Sequence, residues 1–164
     1  MNFHPSTVQT RYASPLGPMI VAATDQGLAG LWFEGQRHLP DSSPWPVAPG
    51  HPVLVAAVAQ LDDYFAGRRS RFELPLDLQG GTAFQQSVWQ ALLTIPAGAT
   101  TSYGALSQQV GRPAAVRAVG AAVGRNPVSI VVPCHRVLGR GGALTGYAGG
   151  LERKSALLAL ERPA

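Results

Sequence analysis

The chain predicts an α+β fold: a small N-terminal antiparallel sheet with one helix, then a mainly helical C-terminal part carrying a helix-turn-helix. Three observations predict it. Short apolar runs separated by turn residues fill the first third, the pattern of strands joined by tight connections. After residue 81 the apolar positions recur at helical spacing, and the first such run is opened by a capping sequence. Charge divides at the same place. Residues 1–81 carry five arginines against seven acids, a net of −2, whereas residues 82–164 carry seven arginines and Lys154 against Glu152 and Glu161, a net of +6.

The elements follow in order. Val8–Ala13, Pro18–Thr24 and Leu28–Phe33 are the predicted strands, separated by Ser14-Pro15-Leu16-Gly17 and Asp25-Gln26-Gly27. Residues 35–50 are rich in Pro, Ser and Gly and read as a loop. Pro52–Ala66 has apolar residues at 54, 55, 58, 61 and 65, Pro near its first turn and Gly67 as its stop, which predicts a helix. Phe72–Leu76 suggests one more strand, and Leu78-Gln79-Gly80-Gly81 a boundary, so that residues 1–80 and 81–164 form two domains. Thr82-Ala83-Phe84-Gln85 matches a capping box, and the helix it opens closes at Pro96-Ala97-Gly98. Ser102 caps a short helix, Tyr103–Val110. Gly111-Arg112-Pro113 then turns the chain into a second helix, Ala114–Val123. Helix, tight turn with Gly, helix is the outline of a helix-turn-helix. The second helix is built mostly of Ala and Gly, which suits close packing on another helix and equally close approach to a nucleic-acid groove. Ser129–Val132 is a β-branched run leading into Pro133-Cys134-His135-Arg136. A glycine-rich loop, 139–150, and a final helix, Leu151–Glu161, complete the chain.

Composition narrows the function. With 46 % hydrophobic and 13 % charged residues the chain is globular, not disordered. No apolar run reaches bilayer-spanning length, and the N-terminus lacks the basic-then-apolar pattern of a signal peptide, so a cytoplasmic protein without membrane contact is expected. A single cysteine excludes an intramolecular disulfide and fits a reducing setting where a thiol is kept for reactivity. The stretch from Thr82 to Leu151 contains no carboxylate, and its arginines suggest an anionic partner; charge that merely solvates the surface is the plainer alternative.

The chemistry centres on Cys134. A thiol attacks only as thiolate, and about 3 % of a free thiol is ionised at pH 7. His135, Arg136 and a nearby helix or nest N-terminus are candidate causes of a lowered pKa. A histidine acts as base for a thiol when a third group orients it. Glu161 is the outstanding candidate for that group, since only two acids follow residue 81. A buried, inert cysteine is the competing reading. A Cys-His-acid set also serves peptidases, transferases and redox sensors. The absence of a second cysteine weighs against redox sensing, and the basic half-chain with its helix-turn-helix favours DNA as substrate.

Six runs then carry a resemblance: Phe84-Gln85-Gln86-Ser87-Val88-Trp89, Thr101-Ser102-Tyr103-Gly104, Arg117-Ala118-Val119-Gly120, Arg125-Asn126-Pro127, Ile130 through Val137 with Pro133-Cys134-His135-Arg136 inside it, and Gly146-Tyr147-Ala148-Gly149-Gly150. Over about residues 82–162 the chain resembles the O6-alkylguanine-DNA alkyltransferases, also called methylated-DNA–protein-cysteine methyltransferases, of the bacterial single-chain type. The resemblance implies a ribonuclease-H-like fold for the N-terminal part. It implies irreversible, single-turnover transfer of the alkyl group of O6-alkylguanine in double-stranded DNA to Cys134, and leaves O4-alkylthymine open. His135 takes the thiol proton through a water, Glu161 orients His135, Tyr103 donates a hydrogen bond to the guanine ring, and Asn126 is the hinge between the helix-turn-helix and the cysteine segment. Arg117 enters the duplex in place of the flipped nucleotide, with Thr101, Ser102, Ala118, Arg125 and Arg136 also at the DNA. The Val137 backbone, Tyr147, Ala148 and Gly149 wall the base pocket; Ala148 stands where relatives outside bacteria often have Ser, and the smaller, non-polar residue implies wider tolerance for bulkier alkyl groups. The resemblance implies a monomer and no cofactor. Zinc-binding relatives use several N-terminal cysteines, and this chain has none there, so no metal is expected. A non-catalytic regulator that binds alkylated DNA is the alternative; such relatives lack the acceptor cysteine.

Overall fold

A computed structural model describes residues 1–163. Three strands, β1 (Val8–Ser14), β2 (Gly17–Thr24) and β3 (Gly27–Phe33), form an antiparallel sheet in the order β1-β2-β3. All three lie where turn chemistry predicted them. Every residue of β3 is buried, so this strand is covered on both faces. On one face Met19, Val21, Leu28, Leu31 and Phe33 join the main core. On the other, Ile20, Ala22 and Trp32 lie beneath Phe3, Leu39 and Trp45, with the Trp45 ring stacked 5.8 Å from Trp32. The loop of residues 35–50 is thus a lid on the outer face of the sheet. A bulge between Ala22 and Ala23 shifts the pairing from Ala22–Gly30 to Ala23–Leu28. The extra residue lets Leu28 and Leu31, three apart, face the same core.

Helix α1 (Pro52–Phe65) packs across the sheet through Leu54, Ala57, Leu61 and Tyr64. Phe72–Leu76 does not form the expected strand. It makes one isolated bridge, Leu28 with Leu76, in which Leu28 N–H donates to Pro75 O and Asp77 N–H to Leu28 O, each at 2.8 Å. Pro75 has no N–H to extend a ladder.

The rest is largely helical: α2 (Ala83–Leu92), α3 (Tyr103–Gln109), α4 (Val116–Gly124) and α5 (Leu151–Leu160). Two short strands, β4 (Thr101–Ser102) and β5 (Val137–Leu138), pair in parallel. The capping box on α2 is formed in both directions: Gln85 N–H donates to Thr82 Oγ1, and Thr82 N–H to Gln85 Oε1. Ser102 Oγ caps α3 by accepting from Ala105 N–H at 3.0 Å. The second helix of the helix-turn-helix begins two residues later than Ala114, because a turn closed by Ala115 N–H on Arg112 O takes up the residues after Pro113. Ser129–Val132 is not a strand. Val128 bridges Leu31, and the chain then coils on itself, with Val132 N–H on Val128 O and Ile130 at φ 72°. The tertiary setting overrides β-branched propensity here. Among the described residues no helix is long and apolar enough to cross a membrane.

The indole of Trp89, fully buried on α2, donates to Ala122 O of α4 at 2.8 Å and fixes how α4 sits on the core. Trp89→Phe removes ring volume and this bond. It is expected to lower stability by about 2–3 kcal/mol, read as a lower urea midpoint at unchanged slope.

Candidate active site

Cys134 opens a single 3-10 turn, Cys134–Arg136, directly after Pro133. The segment before it is clamped by Asn126, at the end of α4. The Asn126 amide donates to Val132 O at 2.7 Å and its carbonyl oxygen accepts from Val128 N–H at 3.0 Å. Asn126 therefore fixes the coil that carries the cysteine.

The turn places His135 and Arg136 against Glu161, at the end of α5. His135 Nε2 lies 2.7 Å from Glu161 Oε2. Arg136 grips the same carboxylate with Nε on Oε1 at 2.8 Å and Nη2 on Oε2 at 2.9 Å. Tyr64 of α1 donates to Oε2 at 2.6 Å. Although burial opposes ionisation, these donors hold the Glu161 carboxyl down at about 2. A carboxylate has no proton to give, so His135 Nε2 carries the hydrogen of that bond. Nδ1 is then the bare nitrogen, and it is buried with no partner among the described residues. Burial pushes the His135 pKa down despite the pull of Glu161. The ring is neutral at neutral pH with Nδ1 as its basic atom.

The thiol itself differs from the expectation. Burial pushes Cys134 up to about 11, and the Asn126 amide and Lys154 ammonium pull it back only in part. At pH 7 roughly one molecule in 10⁴ would hold a free thiolate. Adjacent positive charge in the sequence does not lower this pKa, because Arg136 spends its charge on Glu161.

Cys134 lines a cavity of about 340 Å³, of the size that holds small molecules. Tyr103, Tyr147 and Ala148 form other parts of its wall, and Gly120, Ala121 and Gly124 of α4 line it as well. The small residues of α4 thus open onto the cavity. Arg117 and Ala118 are exposed on the same helix, and Arg125 is exposed at the cavity itself.

Comparison with known proteins agrees with this geometry. The 6-O-methylguanine DNA methyltransferase ribonuclease-like domain matches residues 7–78, and the DNA binding domain of the same proteins matches residues 83–163. The chain belongs to the 6-O-methylguanine DNA methyltransferase family. The methylated-DNA–protein-cysteine methyltransferase of Mycobacterium leprae is 52 % identical over 149 residues, 91 % of this chain and 88 % of that one. The protein of the same name from Salmonella typhimurium is 45 % identical over 92 % of this chain and 93 % of its own. A crystal structure of Mycobacterium tuberculosis OGT in complex with DNA superposes with a TM-score of 0.85 at 48 % identity, covering 96 % of this chain and 95 % of that one.

Within this methyltransferase fold some predicted roles change. Arg136 is not at a DNA surface: it is buried, with Nη1 on Ile95 O at 2.5 Å and its other donors on Glu161. Val137 does not wall the cavity. It is fully buried, its N–H donates to Cys134 O, and its carbonyl accepts from Lys154. Gly149 lies behind the wall, where a Cβ would come within 2.8 Å of the Tyr147 ring and 3.0 Å of Phe33. Ser102 spends its hydroxyl on the α3 cap and Thr101 is half-buried beside Val137.

Three contributors escaped the sequence reading. Lys154, fully buried, donates to Val137 O and Thr145 O at 2.6 Å and to Gly146 O at 3.1 Å, tying the glycine-rich loop to β5 and α5. It is the chain's only lysine among twelve arginines, a signal that was available. Arg37 and His38 reach the cavity from the N-terminal part, and Arg37 N–H holds Ala148 O at 3.1 Å. Their position depends on the fold of distant segments.

The Glu161 site sets an acid limit. Its folded pKa is depressed, so its stabilisation is present above the unfolded value and is lost as pH falls from about 4.5 towards 2. Glu161→Gln is expected to be less stable at pH 7, and its further loss on acidification to be smaller than the wild type's by about 3 kcal/mol. Urea melts across this pH window measure the difference.

Proposed function

We propose that this protein repairs DNA by moving the alkyl group of O6-alkylguanine onto Cys134, once per molecule. One observation carries this: Cys134 lines a cavity walled in part by the helix that bears Arg117, and His135, the next residue, has a buried Nδ1 without a partner among the described residues. The damaged guanine is swung out of the duplex into the cavity at a cost of a few kcal/mol, and Arg117, exposed on α4, fills the space it leaves. The Cys134 sulfur then forms a bond to the alkyl carbon while the carbon–O6 bond breaks, its electron pair leaving with guanine. The thiol proton passes to His135 Nδ1, and Glu161 stabilises the imidazolium. Burial keeps the Tyr103 phenol protonated, so it serves as hydrogen-bond donor to the guanine ring as charge develops there. The product thioether has no leaving group that a thiolate displaces, which makes the step final.

The remaining roles complete the reading. Arg125 and Ala118, exposed with Arg117 on and just after α4, face the DNA backbone; arginine–phosphate contacts give affinity that is independent of sequence and falls with salt. Tyr147 and Ala148 hold the base, and the short Ala148 side chain leaves room for alkyl groups larger than methyl. Residues 1–80 and 81–164 act as two domains of a cytoplasmic monomer.

Incubation with duplex DNA bearing O6-methylguanine tests this by mass spectrometry. One methyl group on Cys134 and no more than one turnover are expected. An unmodified thiol beside intact lesions, with DNA bound, would establish a non-catalytic regulator instead. For Arg117→Ala, repair of the duplex is expected to slow at least tenfold more than reaction with free O6-benzylguanine, since only the duplex requires extrusion. Equal losses on both substrates would remove Arg117 from that role.

A further inference from the structure

Glu161 Oε2 accepts three hydrogen bonds, and one comes from outside the cysteine-bearing turn. Tyr64 lies on α1, 97 residues away in sequence, and is 2 % exposed. Its ring is held edge-on by Phe65 at 5.2 Å and tilted against Phe72 at 5.4 Å. A phenylalanine would fill the same apolar space. The hydroxyl is the one polar atom of this side chain, and it is spent on the oxygen that also takes His135 Nε2. We propose that Tyr64 is a positioning residue of the proton relay, setting through Glu161 how strongly His135 holds a proton.

The inference rests on the relay described above and extends it into the N-terminal sheet-and-helix unit. The groups facing Glu161 are Tyr64 from α1 and His135 and Arg136 from the 3-10 turn. Lys154 of α5 acts on His135 and Cys134 from the far side. Arg136 occupies Oε1 and shares Oε2, so the two neutral donors, His135 and Tyr64, divide what remains of the charge on Oε2. Every bond from Tyr64 weakens the pull of Oε2 on the imidazolium that forms when His135 takes the thiol proton. The hydroxyl also fixes the carboxylate in the plane that His135 meets. Without it, Oε2 concentrates on His135, which then binds a proton more firmly and enters the neutral, proton-accepting form only at higher pH.

Tyr64→Phe tests this with two readouts: the pH dependence of Cys134 alkylation by free O6-benzylguanine, and the ¹⁵N titration of the His135 ring in the unreacted protein. Both midpoints are expected to move up by about half to one pH unit. A ring-fluorinated tyrosine at position 64, a stronger donor of the same shape, is expected to move both midpoints down; this variant also covers the case in which Tyr64→Phe fails to fold. Unmoved midpoints in a folded variant overturn the proposal, since a purely packing role would lower stability and leave them in place. The ring titration needs no alkyl donor. A shifted His135 in a protein that never alkylates would therefore refute the alkyl transfer alone, and normal alkylation with unmoved midpoints would refute the role of Tyr64 alone.

Discussion

A buried carboxylate holds this molecule's working parts in register. Glu161 accepts from His135, from two nitrogens of Arg136 and from Tyr64. Burying a charge of this kind costs several kcal/mol unless close donors offset it, and here four hydrogen bonds do, three on Oε2 and one on Oε1. The partners come from the end of α5, the turn after the cysteine, and the helix that covers the N-terminal sheet. The same set of bonds therefore joins the two halves of the chain and decides which imidazole nitrogen is free to take a proton.

Around that carboxylate the cysteine is poised by restraint. Its thiol is neutral at rest, raised by burial and only partly relieved by Asn126 and Lys154. A free thiolate would attack any electrophile that reached it. In the proposed mechanism the neutral thiol reacts only when a bound substrate makes proton loss and bond formation concerted. The enclosure that raises the pKa suits selectivity, and in the proposed mechanism the activating step belongs to His135.

Much of this was legible in the sequence. The three strands could be read because their connections carry the turn residues Ser, Pro, Asp and Gly, and α2 because Thr82 and Gln85 cap it reciprocally. Cys134 and His135 could be named from the Pro-Cys-His-Arg run, Glu161 because only two acids follow residue 81, and Asn126 and Arg117 through the runs that carry the family resemblance. What escaped was long-range. Phe72–Leu76 and Ser129–Val132 have the local composition of strands, but Pro75 withholds a donor and Asn126 clamps the second segment into a coil. Arg136 looks like a surface cation beside a cysteine until Ile95 and Glu161 are brought to it from 41 and 25 residues away. The sign of the thiol pKa depended on burial, which adjacency in sequence does not report.

The burial of Lys154 has one more consequence. With the only lysine locked among three backbone carbonyls, every cationic side chain left for the surface, histidines aside, is arginine. A guanidinium keeps its charge across the whole physiological range and is not a target of acetylation. The protein's attraction for a polyanion is therefore set by salt and by geometry, and the acyl modifications that retune lysine-rich DNA-binding surfaces have no side chain here on which to act.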